Sequence, residues 1–275
     1  MEAIYQWFAE PLSYPFMQYA LAIALVVGTV CAILSCYLVL KSWSLMGDAI
    51  SHAVLPGIVI AYLLAIPLAI GAFVSGIFCA VAVGYLKENS RIKEDTVMGI
   101  VFSGMFAIGL VMFAKVETDQ HLMHVLFGNL LGITLDEFYQ TLGIALVALV
   151  FILIKRRDFL LFCFDASHAR TVGLNIKVLH YSLLILLALV IISAMQVVGV
   201  ILVVAMLITP GITGYILAKR FEYMMMIAVI TALFSAFWGV FLSFHFNVAT
   251  GPCIVVLQAV CFLLAFAINY LKTHK

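Results

Sequence analysis

Charge is what this 275-residue sequence has least of: 10% of its residues are Asp, Glu, Lys or Arg, against 66% hydrophobic. A soluble domain is about a quarter charged, so this composition cannot clothe a water-facing surface. Neither sign is in excess, with 14 Lys and Arg against 13 Asp and Glu, which removes the basic surface a nucleic-acid partner would need. Metal-type Cys-x-x-Cys spacing is missing; Cys31, Cys36, Cys79, Cys253 and Cys261 lie in apolar runs and Cys163 among basic residues, so they read as small core residues. No G-x-x-x-x-G-K-[ST] phosphate loop occurs, so ATP hydrolysis has no seat on this chain. HExxH is absent as well, and Ser51 and His52, adjacent in sequence, project from different sides of a helix, so no intramembrane enzyme emerges. The first residues hold prolines, aromatics and acids without a basic n-region, which argues against a cleaved signal peptide and puts Trp7 and Phe8 at an interface.

What the sequence has instead is apolar length. Its mean hydropathy is +1.24, and nine apolar runs, at 16–40, 45–64, 67–86, 97–114, 138–154, 178–195, 197–217, 224–244 and 253–271, approach the roughly 20 helical residues that cross a bilayer. The expected fold is all-α, a polytopic membrane helix bundle of eight or nine transmembrane helices, eight if one run is re-entrant, forming a single domain over 1–275. Lys and Arg accumulate on the cytoplasmic side. With the N-terminus outside and the C-terminus inside, every basic residue except Lys115 falls in a cytoplasmic segment: Lys41; Lys87, Arg91 and Lys93; Lys155, Arg156, Arg157, Arg170 and Lys177; Lys219 and Arg220; Lys272 and Lys275. The opposite loops carry Glu2, Glu10, Glu117, Asp119, Asp136 and Glu137, as solvated loop acids or as a surface attractive to cations.

Of the 13 acidic residues only Asp48 lies inside a span. An acid at mid-membrane costs about 2.5–3.5 kcal/mol on insertion scales, so something must compensate it. His52 is four residues on, hence on the same helical face, with Ser51 beside them. A carboxylate and an imidazole one turn apart form half a site for a divalent transition metal. Two copies meeting on a symmetry axis would double it to two carboxylates and two imidazoles, neutral once a dication is bound. The residues alone leave a second reading open, in which Asp48 caps the cytoplasmic end of its helix and His52 satisfies a backbone carbonyl.

The segment Gly47-Asp48-Ala49-Ile50-Ser51-His52-Ala53-Val54-Leu55-Pro56-Gly57 resembles the signature of the membrane permeases of metal-importing ABC transporters. The likeness extends to Phe164-Asp165-Ala166-Ser167-His168-Ala169-Arg170-Thr171-Val172-Gly173-Leu174-Asn175, similar to that family's cytoplasmic coupling segment, and to Gln196-Val197-Val198-Gly199-Val200 with Thr209-Pro210-Gly211. Leu38-Val39-Leu40-Lys41-Ser42-Trp43-Ser44-Leu45-Met46 is most similar to chelated iron and manganese permeases of Gram-negative bacteria; zinc permeases share the core motif. The resemblance implies Asp48 and His52 as ligands of a transported Mn2+, Fe2+ or Zn2+ ion, with no permanently bound cofactor. It also implies a second permease chain, identical or related, cytoplasmic ATP-binding subunits, a periplasmic metal-binding protein, and residence in the bacterial inner membrane. Residues 155–177 would dock the ATPase, with Asp165 capping a short helix through Ala169 and Gly173 stopping it. A stand-alone ion-coupled carrier is the alternative, disfavoured because such carriers commonly use several buried acids.

Other signals are weaker. His121 and His124, at i, i+3 in an outer segment, offer a second metal contact but no complete ligand set. His245 and Asn247 read as gate residues or an interfacial turn. Thr209-Pro210-Gly211 should break or kink its helix. Gly71-x-x-x-Ser75 and Gly99-x-x-x-Ser103 are small-residue spacings that permit close helix packing. The 12 methionines, including Met224, Met225 and Met226, are scattered as packing residues rather than arrayed for copper.

Overall fold

Each apolar run of the sequence becomes a helix because its backbone groups have no water to bond inside a bilayer and must satisfy one another. The computed structural model describes residues 10–43, 45–115, 130 and 132–273. The helices are α1 (Pro15–Lys41), α2 (Met46–Ala53), α3 (Leu55–Leu63), α4 (Leu68–Glu88), α5 (Glu94–Phe113), α6 (Leu135–Ile154), α7 (Arg156–Phe164), α8 (Ala166–Thr171), α9 (Ile176–Val198), α10 (Val200–Leu217), α11 (Phe221–Phe246) and α12 (Thr250–Thr273). Among the described residues, nine stretches are long and apolar enough to cross a membrane, with α2 and α3 together supplying the second, Met46–Leu63. Of the eight or nine expected crossings, the larger number is the one the helices support.

Local chemistry sets the boundaries. Pro15 occupies the first turn of α1, where its missing amide costs nothing, and Ser42 ends that helix in the left-handed region (φ 59°) with its amide on the Val39 carbonyl. Thr134 and Glu137 close a capping box at the start of α6. Asn175 caps α9 through the Val178 amide. Gly199, at φ 82°, turns the chain from α9 into α10, a conformation that glycine adopts without strain.

Depth of packing differs along the chain. The apolar windows of α1 and α9 are each 72% buried, whereas those of α5 and α12 are 17% buried, so α1 and α9 are interior posts and α5 and α12 present most of their surface outward. Helix α1 packs against α10 and α11, which also pack on α12; α9 packs on α4 and α6.

Pro210 does not break α10. The helix runs through it with a brace from α1: the Gly211 amide donates to Ser35 Oγ (2.9 Å), and the Ser35 hydroxyl donates to the Ile208 carbonyl (3.2 Å). Glycine is required there, since a Cβ on residue 211 would stand 2.7 Å from the Ser35 carbonyl oxygen. Ser35→Ala is therefore expected to leave a buried amide unpartnered at a cost of about 1–3 kcal/mol. Thermal unfolding in detergent should show the loss, and an unchanged midpoint would mean that another acceptor replaces Ser35.

The two small-residue spacings part company. Gly71 faces Gly57 across α3 and α4 so closely that a Cβ on either would overlap the other's carbonyl oxygen, and Ser75 Oγ donates to the Ala53 carbonyl (2.7 Å). A Cβ on Gly99 would meet nothing within 4 Å among the described residues, and the exposed Ser103 hydroxyl turns back to the Gly99 carbonyl (2.6 Å). Among the described residues that second stripe packs on no helix.

Candidate metal site

Asp48 lies in the first turn of α2 and His52 in its last. Their side chains meet with His52 Nε2 and Asp48 Oδ1 3.3 Å apart, at 31% and 35% exposure respectively. The rest of the helix is buried: Ala49, Ile50 and Ala53 are fully enclosed, and the sequence therefore sets an outward polar edge on an otherwise interior helix. Ser51, expected beside the pair, is not part of this edge; its hydroxyl donates to the Gly47 carbonyl (2.8 Å) and is buried.

Neighbouring helices hold that edge in place. A Cβ on Gly47 would stand 3.1 Å from Leu207 Cδ1, so glycine lets α2 lie close on α10. One turn beyond His52, Pro56 interrupts the hydrogen-bond ladder between α2 and α3, while Val54 keeps helical dihedrals (φ −71°, ψ −24°) and the direction of the span is preserved. From α5, Phe106 meets the imidazole edge to face with ring centroids 5.1 Å apart, and Phe102 lies stacked at 6.2 Å. Neither phenylalanine stands out in the sequence, where an i, i+4 aromatic pair looks like any lipid-facing face.

The pair has the spacing of a two-toothed ligand. With metal–ligand bonds of about 2.1 Å, coordination angles between about 90° and 109° put the two donor atoms about 3.0–3.4 Å apart, and the observed separation falls in that window. A borderline imidazole with a hard carboxylate suits Mn2+, Fe2+ or Zn2+ better than a soft-ligand ion such as Cu+. Two ligands do not complete a shell, and among the described residues no group of three or more His, Cys, Asp or Glu comes together. The pair is also open to the outside of the chain, where a further ligand set from another molecule has access.

The other expected residues scatter. His121 and His124 lie outside the described residues. His245 is half-buried in the last turn of α11, edge to face with Phe244, and Asn247 ends α11 in the left-handed region (φ 52°), which makes it a turn residue. Among the cysteines, Cys31, Cys36, Cys79 and Cys163 are buried as expected and Cys253 and Cys261 half-buried, all with free thiols; burial pushes the Cys163 thiol up to about 12.

Between the fifth and sixth spans, 155–177 forms the two short helices α7 and α8. The Asp165 carboxylate caps α8 by accepting from the Ser167 (2.9 Å) and His168 (3.0 Å) amides, and these bonds, the one from His168 foremost, hold its pKa below the usual carboxylate value. The cap's contribution is thus present above the ordinary carboxyl range and is lost as pH falls through the lowered value. Gly173, at φ 89°, closes α8 with its amide on the Arg170 carbonyl while the Leu174 amide bonds the Ala169 carbonyl. The cap and stop fall where the sequence places them, though α8 extends to Thr171. Lys41 lies over the Phe162 ring (4.2 Å to centroid) and ties α7 to the end of α1, a contact that no local pattern announces.

Comparison with known proteins matches this architecture over nearly its full length. The chain is 61% identical over 275 residues to the chelated iron transport system membrane protein YfeD of Yersinia pestis, covering 100% of this chain and 93% of that one. It is 51% identical over 261 residues to the manganese transport system membrane protein MntB of Synechocystis, covering 95% and 85%. Among solved structures, PsaBC from Streptococcus pneumoniae in complex with Fab superposes with a TM-score of 0.87 at 38% identity, covering 99% of this chain and 100% of that one. Residues 13–269 match the ABC 3 transport family, and this multi-pass membrane chain belongs to it.

Proposed function

We propose that the chain is the permease subunit of an ATP-driven importer that carries Mn2+ or Fe2+ across the inner membrane, with Asp48 and His52 as transient ligands of the passing ion. The observation that carries this reading is the outward-facing carboxylate–imidazole pair, spaced as a bidentate half-site on a membrane-spanning helix. Relatives named for iron and for manganese transport support the choice of cargo. A second permease chain, facing the first across a two-fold axis, contributes the same pair, and the ion neutralises two carboxylates at once. The whole of 1–275 acts as one transmembrane domain.

The remaining parts follow from charge and motif. Residues 155–177 dock a cytoplasmic ATP-binding subunit, since this chain has no phosphate loop to hydrolyse ATP itself. The basic ends of the spans lie in the cytoplasm, which puts the N-terminus outside, where a periplasmic metal-binding protein delivers the ion. Import of Zn2+ is the second reading, because the same two donor types serve it.

Uptake of Mn, Fe and Zn, followed in parallel in cells that lack their own importers, tests the proposal. Wild-type protein is expected to raise Mn and Fe uptake, and His52→Ala to lose both. Undiminished uptake by His52→Ala would remove the pair from the path, and a wild-type preference for Zn would turn the cargo assignment to zinc.

A further inference from the structure

A cavity of about 460 Å3 opens where α1, α7, α10 and α11 come together, and neither Asp48 nor His52 lines it. Its lining is mixed: Leu40, Leu160, Phe164 and Met224 give it an apolar wall, and Lys219 and Arg220 line it from the corner between α10 and α11. The corner is tightly closed: a Cβ on Gly214 would overlap the Met224 carbonyl oxygen, so the two helices meet backbone to backbone. We propose that this cavity binds an anionic glycerophospholipid, its phosphate on Lys219 and Arg220 and an acyl chain along the apolar wall.

Three observations support a lipid phosphate. Neither basic side chain has an ion-pair partner among the described residues, and the adjacent acid, Glu222, is taken by Arg156 at 3.1 Å. Arg220 also stands at the N-terminus of α11, whose first-turn amides receive no side-chain cap, so that end of a 26-residue helix adds partial positive charge beside the two cations. Tyr215 and Tyr223, 57% and 56% exposed, flank the same corner as aromatic residues do at the headgroup level of a bilayer. Basic pockets between transmembrane helices are the sites where anionic headgroups lodge. A protein carboxylate would satisfy the cations but leave the apolar wall uncovered; a phospholipid satisfies both. Leu160 and Phe164 line the cavity from α7, and Asp165 follows immediately as the cap of α8, so a bound lipid would brace 155–177 against the α10–α11 corner. The inference stands apart from the Asp48–His52 reading and survives its failure.

Native mass spectrometry of the full chain in mild detergent, with phosphatidylglycerol or phosphatidylethanolamine added to the micelles, measures the site. Wild-type protein is expected to retain phosphatidylglycerol over phosphatidylethanolamine. The double variant Lys219→Gln with Arg220→Gln is expected to lose that retention by on the order of thirtyfold, about fivefold for each basic side chain near a membrane surface. Lys219→Arg with Arg220→Lys keeps both charges and should retain the lipid. If the neutral variant fails to fold, the wild-type selectivity between the two lipids still decides. Equal retention of both lipids by wild type would overturn the proposal, as would displacement of phosphatidylglycerol by soluble sn-glycerol 3-phosphate, which has no chain for the apolar wall. Loss of ATPase-subunit association in the neutral variant at unchanged lipid retention would instead make the cavity a protein dock.

Discussion

Asp48→Asn is expected to abolish metal uptake while the chain still folds and assembles. The substitution keeps the shape of the side chain and removes one negative charge per subunit, so a paired site would face its dication with no carboxylate. Two unit charges about 4 Å apart are worth about 4 kcal/mol at an effective dielectric of 20, and about 1.4 kcal/mol is tenfold, so the loss should be on the order of a hundredfold or more. Folding is spared because Asp48 is one-third exposed and its contact with His52 is an i, i+4 pair along one helix, a kind that contributes about 0.5 kcal/mol or less. Radiolabelled Mn uptake reads the effect, with co-purification of the ATP-binding subunit as the control for assembly. Wild-type uptake by this variant would take Asp48 out of the mechanism.

Gly57→Leu is expected to destabilise the fold strongly. Helices α3 and α4 touch through their backbones at Gly57 and Gly71, and a side chain at 57 also meets Ser75 Cβ at 2.5 Å. Backbone cannot rotate aside as a flexible side chain does, so the helices must separate, with overpacking costs of about 1–3 kcal/mol or more. Separation would also strain the Ser75 bond to the Ala53 carbonyl, at the end of the helix that carries Asp48 and His52. Gly99→Leu is the matched control, since no atom of the described residues lies within 4 Å of a Cβ at Gly99, and surface changes of that kind stay within about 0.5 kcal/mol. Unfolding midpoints of the two purified variants should differ clearly; a Gly57→Leu midpoint equal to wild type would show that the α3–α4 contact yields.

Much of this was legible from local chemistry. The run read at 16–40 is the helix Pro15–Lys41, and that read at 178–195 lies within Ile176–Val198, because twenty apolar residues in a bilayer have no alternative to helix. The four-residue spacing of Asp48 and His52 foretold their meeting, since a helix puts i and i+4 one above the other. Asp165 and Gly173 were readable for the same reason: capping is decided by a residue and its next few neighbours.

Long-range contacts were not readable. Gly71-x-x-x-Ser75 and Gly99-x-x-x-Ser103 are alike as strings, yet one is pressed on α3 and the other faces outward. Of the break or kink expected at Pro210 there is no break, and Ser35, far away in sequence, braces the helix there, while Phe102 and Phe106 reach His52 from α5. The sequence by itself determined which segments are membrane-spanning helices, to within about three residues at their ends, and which two side chains share one polar edge, since backbone hydrogen bonding and helical periodicity act over a few residues. Only the tertiary structure decided which glycine becomes a helix contact, which proline is bridged and which rings hold the imidazole, because those outcomes depend on which helix faces meet, and no single helix carries that information.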